Sequence, residues 1–389
     1  MLFWQYIFII SCFIIFYNYA GYAIIIYFIN ALKTANKTTQ KTKEYFPSVS
    51  FIVAAYNEED VIEKKILNSL EQNYPSKQIE FIFITDGSTD KTAEIISRFS
   101  SIQLMHQQER KGKSAAMNRA VQNAKHEIII FSDANTILNK DAVQNIARHY
   151  IDDTVGGVAG EKKIMHLFAG ANEVGAGEGL YWKYESFLKK TDSNFYSVVG
   201  AAGELFSVRK KLYEPMPNSV ILDDFVTSLK VAQKGYRIIY EPDAYATEMP
   251  SFSLMDEQKR KVRIAAGGFQ AIGMLGSLFF FWKNFKLSFL YISHRVLRWT
   301  LTPLCLIFAF LSNLILCFTN NYWYKIFFAI QICFYLIAVI AKFISFNNRW
   351  LKIVKLPYYF VFMNVSVVQG FFRFIQKKQP ATWEKVKRS

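Results

Sequence analysis

A short polar motif directly follows an apolar run and carries side chains that bind metal ions. Asp133 and Asn135 come after the β-branched and aromatic residues 128–131. Such a run is typical of a buried strand in a parallel sheet, and ligands bind at the carboxyl edge of such sheets. Side chains two apart on an extended chain point the same way, so both can reach one ion. A carboxylate and a carbonyl oxygen suit a hard divalent cation carrying a diphosphate, although an ordinary Asp/Asn turn gives the same pattern.

Two other charged residues are predicted to lie at the same edge. Asp86 directly follows the apolar run 79–85, where its carboxylate could bind the donor edge of a base or a ribose hydroxyl. Lys113 precedes a predicted helix, and both its ammonium and the helix amino terminus favour phosphate. Either residue alone is better explained as a surface cap. Their convergence with Asp133 on one edge of one sheet predicts a nucleotide-diphosphate site.

An acidic pair, Asp223 and Asp224, opens a predicted helix later in the chain. Leu229 and Val231 mark the apolar face of this helix, and Gly235 ends it. An acidic first turn interacts favourably with the helix dipole, which explains one carboxylate without any chemistry. The pair is therefore open to a structural and to a catalytic interpretation.

The elements that position these residues alternate between strand and helix, which predicts βαβ units and a parallel sheet. Asn57 is expected to cap the first of the helices. The glycine-rich stretches 156–179 and 200–203 either bring the backbone close to a ligand or form flexible loops. The predicted strands are 49–55, 79–85, 128–131 and 237–240.

Apolar residues are concentrated in four long stretches of this 389-residue chain, which is 52% hydrophobic and 17% aromatic. Residues 1–32 contain no charged side chain and are too long for a cleaved signal peptide. About 17 to 25 apolar residues can cross a bilayer as a helix. The sequence therefore predicts an integral membrane protein. The later apolar stretches are 300–318, 326–341 and 356–372.

The net charge of +15 belongs with this membrane assignment, because Lys and Arg flank the apolar stretches. Such flanking charge marks the cytoplasmic face and favours anionic membrane lipids. No helix-turn-helix or aromatic-rich RNA-binding pattern accompanies it, so no nucleic-acid partner is expected. The four cysteines all lie inside apolar stretches, which argues against a zinc site or a disulfide framework.

Four segments occur in the order and spacing of the family 2 glycosyltransferases: AYNEE, FIFITDGSTDKT, KGKSAAMNRA and FSDANT. The resemblance covers residues 49 to about 263 and extends to membrane-embedded members with one amino-terminal span. It implies a GT-A fold, the Rossmann-like α/β domain of nucleotide-diphospho-sugar transferases, on the cytoplasmic side of the membrane. It also implies sugar transfer from a nucleotide-diphospho-sugar, with UDP-sugars expected, and inversion at the anomeric carbon.

The resemblance assigns roles at the predicted sheet edge. Asp133 and Asn135 occupy the DxD metal motif, which implies a divalent cation, Mg²⁺ or Mn²⁺. Because Asn replaces the second acid, this motif lacks one carboxylate. The residues that resemble nucleotide contacts are Ala55, Glu58, Asp86, Lys113 and Asp133.

The later motifs match the family less completely. The segment ILDDFVTSLK resembles the place of an acidic pair whose second acid, here Asp224, is the general base. The segment QKRKV stands where processive members have QxxRW, so Lys replaces Arg and Val replaces Trp. Loss of the aromatic platform weakens the case for a processive polymerase. The residues expected near the diphosphate or acceptor are Asp223, Gln258, Arg260 and Arg263.

We expect a glycosyltransferase at the plasma membrane that acts on a glycan or lipid-linked acceptor in polysaccharide or glycolipid synthesis. Two alternatives remain open: transfer of a single sugar to a polyprenyl phosphate, and a transporter or scaffold with a degenerate nucleotide domain. The basic tail argues for a cytoplasmic carboxyl terminus, whereas three later spans would place it outside. The expected segments are a membrane helix at 1–32, a linker at 33–46, a GT-A domain at 47–270, interfacial amphipathic helices at 271–299, three membrane helices at 300–375 and a basic tail at 376–389.

Overall fold

The computed structural model describes residues 1–34, 45–164, 174–249, 253–343 and 355–377. Its α/β domain is built on one sheet of eight strands in the order β3-β2-β1-β4-β7-β6-β8-β5. The strands are β1 Val49–Ala55, β2 Ile79–Asp86, β3 Ile102–Gln107, β4 Ile128–Asp133, β5 Ile137–Leu138, β6 Val155–Ile164, β7 Leu205–Arg209 and β8 Arg237–Glu248.

The first half of the sheet is parallel, as the strand–helix alternation predicts. Strand β1 pairs in parallel with β2 and β4, and β2 pairs in parallel with β3. The second half departs from the prediction because β7 runs antiparallel to both β4 and β6. The carboxyl ends of β1, β2 and β4 therefore meet at one edge, and the start of β7 lies beside the end of β4.

Helices cover both faces of this sheet, since side chains alternate across each strand. In β1, Ile52 and Ala54 belong to one buried cluster, whereas Phe51 and Val53 belong to the other. The helices are α1 Leu2–Phe16, α2 Tyr22–Thr34, α3 Ile62–Leu70, α4 Thr92–Ser97, α5 Lys113–Asn123, α6 Ala142–Ala147, α7 Val174–Phe195, α8 Asp223–Gln233, α9 Leu254–Met274, α10 Phe285–Tyr291, α11 Leu297–Trp299, α12 Leu301–Leu316, α13 Tyr322–Phe343 and α14 Lys355–Ile375.

Two local predictions are wrong. Asn57 does not cap a helix: its backbone is left-handed, with φ 53°, and its Oδ1 accepts from the Thr89 N–H at 2.8 Å. It joins the loops after β1 and β2, and α3 begins only at Ile62. The first part of the glycine-rich stretch 156–179 is not a loop, because residues 156–164 belong to strand β6. A Cβ on Gly157 would lie 2.6 Å from the carbonyl oxygen of Ser207, so glycine permits close strand packing there.

Three helical segments are long and apolar enough to cross a membrane: Leu2–Leu32, Tyr322–Lys342 and Lys355–Ile375. Helix α12 qualifies only together with the preceding segment Phe285–Trp299, from which it is bent by 51°. Most of the predicted linker and nearly all of the basic tail lie outside the described residues.

A buried polar network joins the first apolar helix to the α/β domain. The Tyr22 hydroxyl donates to Asp192 Oδ1 at 2.5 Å, and His294 Nδ1 lies 2.6 Å from Asp192 Oδ2. Arg295 Nη1 lies 3.0 Å from Glu185 Oε2, and Arg298 pairs with the same carboxylate. The network therefore connects α2, α7 and the segment between α10 and α12.

Candidate active site

The predicted polar residues meet at the carboxyl edge of the sheet. Strand β4 ends at Asp133 and helix α5 begins at Lys113, whose Nζ lies 2.7 Å from Asp133 Oδ1. Asp133 and Asn135 are both partly exposed, whereas Ala134 and Thr136 between and after them are buried. This alternation places the two predicted metal ligands on the open side of the chain.

The acidic pair, Asp223 and Asp224, starts helix α8 and faces Lys113 across Gly203. Asp224 Oδ1 accepts from the Phe225 N–H at 2.8 Å. A Cβ on Gly203 would lie 3.1 Å from Asp224 Oδ2 and 3.2 Å from Lys113 Nζ. The missing side chain of Gly203 thus leaves the space between the Asp224 carboxylate and the Lys113 ammonium.

Burial and neighbouring charges give these groups unusual proton affinities. Burial, together with the charge of Asp223, raises the pKa of Asp224 to about 7, although Lys113 opposes the change. Burial alone would lower the pKa of Lys113, but the carboxylates of Asp133, Asp223 and Asp224 outweigh it and raise that pKa above its usual value. At neutral pH the site therefore holds a permanent cation and a carboxyl group poised to accept a proton.

The other predicted nucleotide contacts lie near this edge but are engaged in the fold. The buried Asp86 carboxylate accepts from the backbone N–H groups of Lys111 at 3.1 Å and Gly112 at 2.6 Å, which fixes the loop before α5. Ala55 is buried at the end of β1. The backbone N–H of Glu58 donates to Thr92 Oγ1 at 2.8 Å.

The predicted residues on α9 separate into two groups. Arg260 and Arg263 line the same cavity as Asp224, and Arg260 also pairs with Glu257 at 2.9 Å. Gln258 instead donates to Gln369 of α14 at 3.0 Å and does not line that cavity. Helix α9 thus presents two arginines to the site and Gln258 to a neighbouring helix.

Sequence reasoning missed a buried lysine beneath the Asp133 loop. Lys65 Nζ donates to Ser132 Oγ at 2.7 Å and to the Thr136 carbonyl oxygen at 3.0 Å. Its side chain is fully buried, and burial lowers its pKa to about 7 despite the Asp133 carboxylate nearby. The sequence pattern that could have indicated this burial is the position of Lys65 on α3. It lies three residues after Ile62 and one before Ile66, both on the apolar face of the helix.

The donor set at this edge fits a divalent cation that shares its ligands with a diphosphate. Asp133 offers a carboxylate and Asn135 an amide, both partly exposed. Within the described part of the chain, no cluster of three His, Cys, Asp or Glu side chains could hold an ion alone. Mg²⁺ is commonly held by one or two carboxylates together with substrate phosphates and water. The residues present therefore suit an ion that arrives with, or is completed by, a nucleotide diphosphate.

The charged residues at the sheet edge and at the start of α8 line one cavity of about 280 Å³. Its walls come from the sheet edge, from α7, α8 and α9, and from the membrane-proximal helices. Its charged lining at the sheet edge and α8 includes Lys113, Asp133, Glu204, Asp223, Asp224 and Glu248.

Comparison with known sequences shows which proteins this chain resembles. Residues 50–215 match the model of glycosyl transferase family 2. Poly-beta-1,6-N-acetyl-D-glucosamine synthase of Staphylococcus aureus strain MSSA476 is 28% identical over 258 residues. That match covers 64% of this chain and 62% of that protein, less than two thirds of its length. The synthase of the same name from Staphylococcus epidermidis strain ATCC 35984 is 27% identical over 92% of both chains.

A solved structure shares the fold over nearly the whole chain. Mannosyltransferase PcManGT from Pyrobaculum calidifontis, in complex with GDP-Man and Mn²⁺, superposes with a TM-score of 0.72 at 21% identity. The match covers 96% of this chain and 100% of that one. Together with the family match, it confirms the predicted GT-A fold. Residues 50–215 therefore form a family 2 glycosyltransferase domain with the GT-A fold, and apolar helices are attached to this domain.

Proposed function

We propose that this protein transfers a sugar, with inversion, from a nucleotide-diphospho-sugar to a hydroxyl of a membrane-associated acceptor. The observation that carries the proposal is the grouping of Lys113, Asp133 and Asp224 around one cavity at the carboxyl edge of the sheet. A carboxylate placed to act as a base on the acceptor hydroxyl suits a single displacement. The names of the similar synthases favour a glycan product, and the family resemblance favours a UDP-sugar donor.

In this mechanism the chain holds the donor at one wall and activates the acceptor at the other. Lys113 places a permanent positive charge beside the donor diphosphate, where negative charge develops as the leaving group departs. Asp224 accepts the proton of the acceptor hydroxyl as its oxygen attacks the anomeric carbon from the opposite face. Gly203 leaves room between these two groups for the reacting sugar.

Asp133 and Asn135 are the residues that would hold a divalent cation. When bound, such an ion polarises the diphosphate and stabilises the leaving group. The PcManGT structure contains Mn²⁺, which makes manganese one candidate for this chain beside magnesium.

A panel of nucleotide sugars tests the proposal on the purified full-length protein. We expect release of a nucleoside diphosphate with one donor of the panel and with Mg²⁺ or Mn²⁺ present. The absence of both transfer and hydrolysis with every donor would refute a glycosyltransferase activity and favour the transporter or scaffold alternative.

We propose that the catalytic domain and the carboxyl-terminal tail are both cytoplasmic, at the plasma membrane. Helix α14 supports this because it packs on α9 of the catalytic domain, where Phe269 stacks on Phe374 at 6.2 Å. If α14 lies on that domain and the bent segment ending in α12 crosses, the tail remains inside. This arrangement agrees with the positive charge of the tail.

Cysteine labelling checks this orientation in a background without the four native cysteines. We expect an external reagent to label Asn321→Cys, between α12 and α13, because that turn would lie outside. Ser76→Cys and Ser389→Cys should remain unlabelled in intact cells. External labelling at Ser76 would reverse the whole orientation, and labelling at Ser389 alone would mean that α14 crosses the bilayer.

The raised pKa of Asp224 predicts the pH dependence of transfer. Below about pH 7 the carboxyl group is protonated and cannot accept the acceptor proton, so activity should rise as the pH increases through about 7. Because the charge of Asp223 contributes to the raised pKa, Asp223→Asn should move this rise to lower pH. Initial rates at saturating donor across pH 5 to 9, a range of roughly two units either side of the pKa, measure both effects. An unchanged midpoint in Asp223→Asn would contradict the assignment.

Lys65 provides a test of how the Asp133 loop is positioned. Lys65→Met removes the ammonium that binds Ser132 and Thr136, and we expect metal affinity or activity to fall about 10- to 100-fold. The exposed neighbour Lys64→Met is the matched control and should behave as the wild type. A purely structural role would lower the melting temperature without raising the metal concentration needed for half-maximal rate.

A further inference from the structure

The catalytic cavity continues towards the membrane helices. A second cavity of about 270 Å³ lies between the first apolar helix, α7 and α14. Because the same side chains line both cavities, the two spaces adjoin. The shared residues, which we call the doorway, are Tyr181, Arg295, Trp299, Met363 and Val367.

The second cavity has a mainly apolar and aromatic wall. Helix α14 contributes Leu356, Phe360, Met363 and Val367, and Tyr19 of the first apolar helix closes the opposite side. A hydrated saccharide would lose its water against such a wall without recovering enough hydrogen bonds, whereas a hydrocarbon chain gains by burial there. The wall therefore suits a lipid chain better than a growing glycan.

Two cations lie at the doorway or next to it. Arg295 is part of the doorway itself, and the Nζ of Lys261 lies 4.8 Å from the centre of the Tyr181 ring. Lys261 is only 5% exposed, and its nearest acid, Glu257, lies 3.4 Å away. Arg295 also pairs with Glu185 at 3.0 Å, and its guanidinium together with the Lys261 ammonium is suited to a phosphate group that lies between the cavities.

A third buried cation faces the first cavity. Lys189 is 3% exposed and lines this cavity. The charges of Glu161 and Glu204 act on its ammonium, whose Nζ lies 5.6 Å from the centre of the Trp182 ring. Burial of an ammonium is costly, so an anionic ligand in this cavity would stabilise it further.

From this arrangement we propose that the acceptor is a saccharide carried on a lipid phosphate or diphosphate. Its reactive hydroxyl lies at Asp224, its phosphate at Lys261 and Arg295, and its hydrocarbon chain in the second cavity. The proposal rests on the proposed glycosyltransferase function and adds the chemical class of the acceptor.

The position of the base explains why the acceptor carries a sugar. A phosphate is already ionised near neutral pH and needs no base to become a nucleophile, whereas a sugar hydroxyl does. In the step, the acceptor O–H bond breaks and its proton goes to Asp224. The oxygen forms a bond to the anomeric carbon, and the bond from that carbon to the donor phosphate breaks. The nucleoside diphosphate leaves with the electron pair.

Three acceptor types with the same chain length test the proposal on the full-length protein in detergent. They are farnesyl-diphosphate-linked hexoses and N-acetylhexosamines, farnesyl glycosides of the same sugars without phosphate, and farnesyl phosphate without sugar. With the donor found active in hydrolysis or transfer, we expect kcat/KM for the diphosphate-linked saccharides to exceed that for the glycosides at least tenfold.

Variants of α9 link this preference to the doorway. Lys261→Gln should reduce the ratio of kcat/KM between diphosphate-linked and phosphate-free saccharides at least tenfold. Lys259→Gln, on the exposed side of the same helix, should keep the ratio. A bulky residue in the second cavity, Met363→Trp, should raise the KM for the farnesyl acceptor while a shorter-chain diphosphate acceptor is affected less.

The outcomes separate this proposal from the function on which it rests. Equal use of the glycosides, product only on farnesyl phosphate, or donor turnover with no lipid-linked saccharide accepted would each overturn the proposal while leaving a glycosyltransferase. No turnover of any donor, with or without acceptor, would refute the proposed function itself. If Lys261→Gln left the ratio of kcat/KM between diphosphate-linked and phosphate-free saccharides unchanged, the phosphate would not bind at the doorway, and the proposal would be overturned.

Discussion

Asp224→Asn should reduce sugar transfer by at least about 100-fold, because the amide keeps the size of the carboxyl group but cannot accept the acceptor proton. General base catalysis typically contributes about 10²- to 10⁴-fold. The hydrogen bond from the Phe225 N–H can be retained by the amide oxygen, so the start of α8 should remain folded. Donor affinity, measured by nucleotide binding, should change little because Asp224 faces the acceptor.

The neighbouring acid is the matched control for this substitution. Asp223→Asn removes one negative charge from the same helix start and should cost much less activity, apart from the expected shift in its pH profile. A more severe loss in Asp223→Asn than in Asp224→Asn would assign the base to Asp223. Equal, modest losses in both would support the helix-dipole interpretation, and the base would have to lie elsewhere.

Asp133→Ala is expected to have the second largest effect. The substitution removes the one carboxylate of the metal motif and the partner that lies 2.7 Å from Lys113. We expect a loss of at least about 100-fold, the scale seen when one preorganised electrostatic contact is removed from an active site. Rates measured against Mn²⁺ and Mg²⁺ concentration report the effect.

Asn135→Asp is the informative partner of that variant. It adds a second charged oxygen, and we expect it to retain activity and to lower the cation concentration needed for half-maximal rate. Metal dependence that is unchanged in Asp133→Ala would mean that the ion binds elsewhere. The ion would also have to bind elsewhere if Asp133→Ala reached its half-maximal rate at a lower cation concentration than the wild type.

Strands β1, β2 and β4 of the parallel half were predictable because they are continuous apolar runs. Strand β1 has the predicted bounds, and β4 ends at the predicted polar motif, Asp133. Helix α8 begins at Asp223 as expected, and Gly235 follows its end with φ 91°. Each of these elements has a local pattern that its neighbours in the fold reinforce.

The elements that the sequence did not reveal depend on contacts from distant parts of the chain. Strand β3, Ile102–Gln107, is half polar and partly exposed at the sheet edge, so it lacks a continuous apolar run. Strand β6 is glycine-rich because its neighbours pack closely, which local reasoning reads as a loop. The role of Lys65 follows only from Ser132 and Thr136, which are far from it in sequence.

The network of Tyr22, Asp192, His294 and Glu185 makes the first apolar helix an internal part of the enzyme rather than a tether. A tethered domain would move freely relative to its apolar helix, whereas here buried contacts fix the helix against the domain. Deleting residues 1–32 would remove Tyr22 and uncover the Asp192–His294 pair. The lost hydrogen bond to the buried Asp192 carboxylate alone is of a kind that contributes about 1.5–3 kcal/mol. A water-soluble fragment made by that deletion is therefore expected to misfold, and surface redesign of the intact helix is the better route to one.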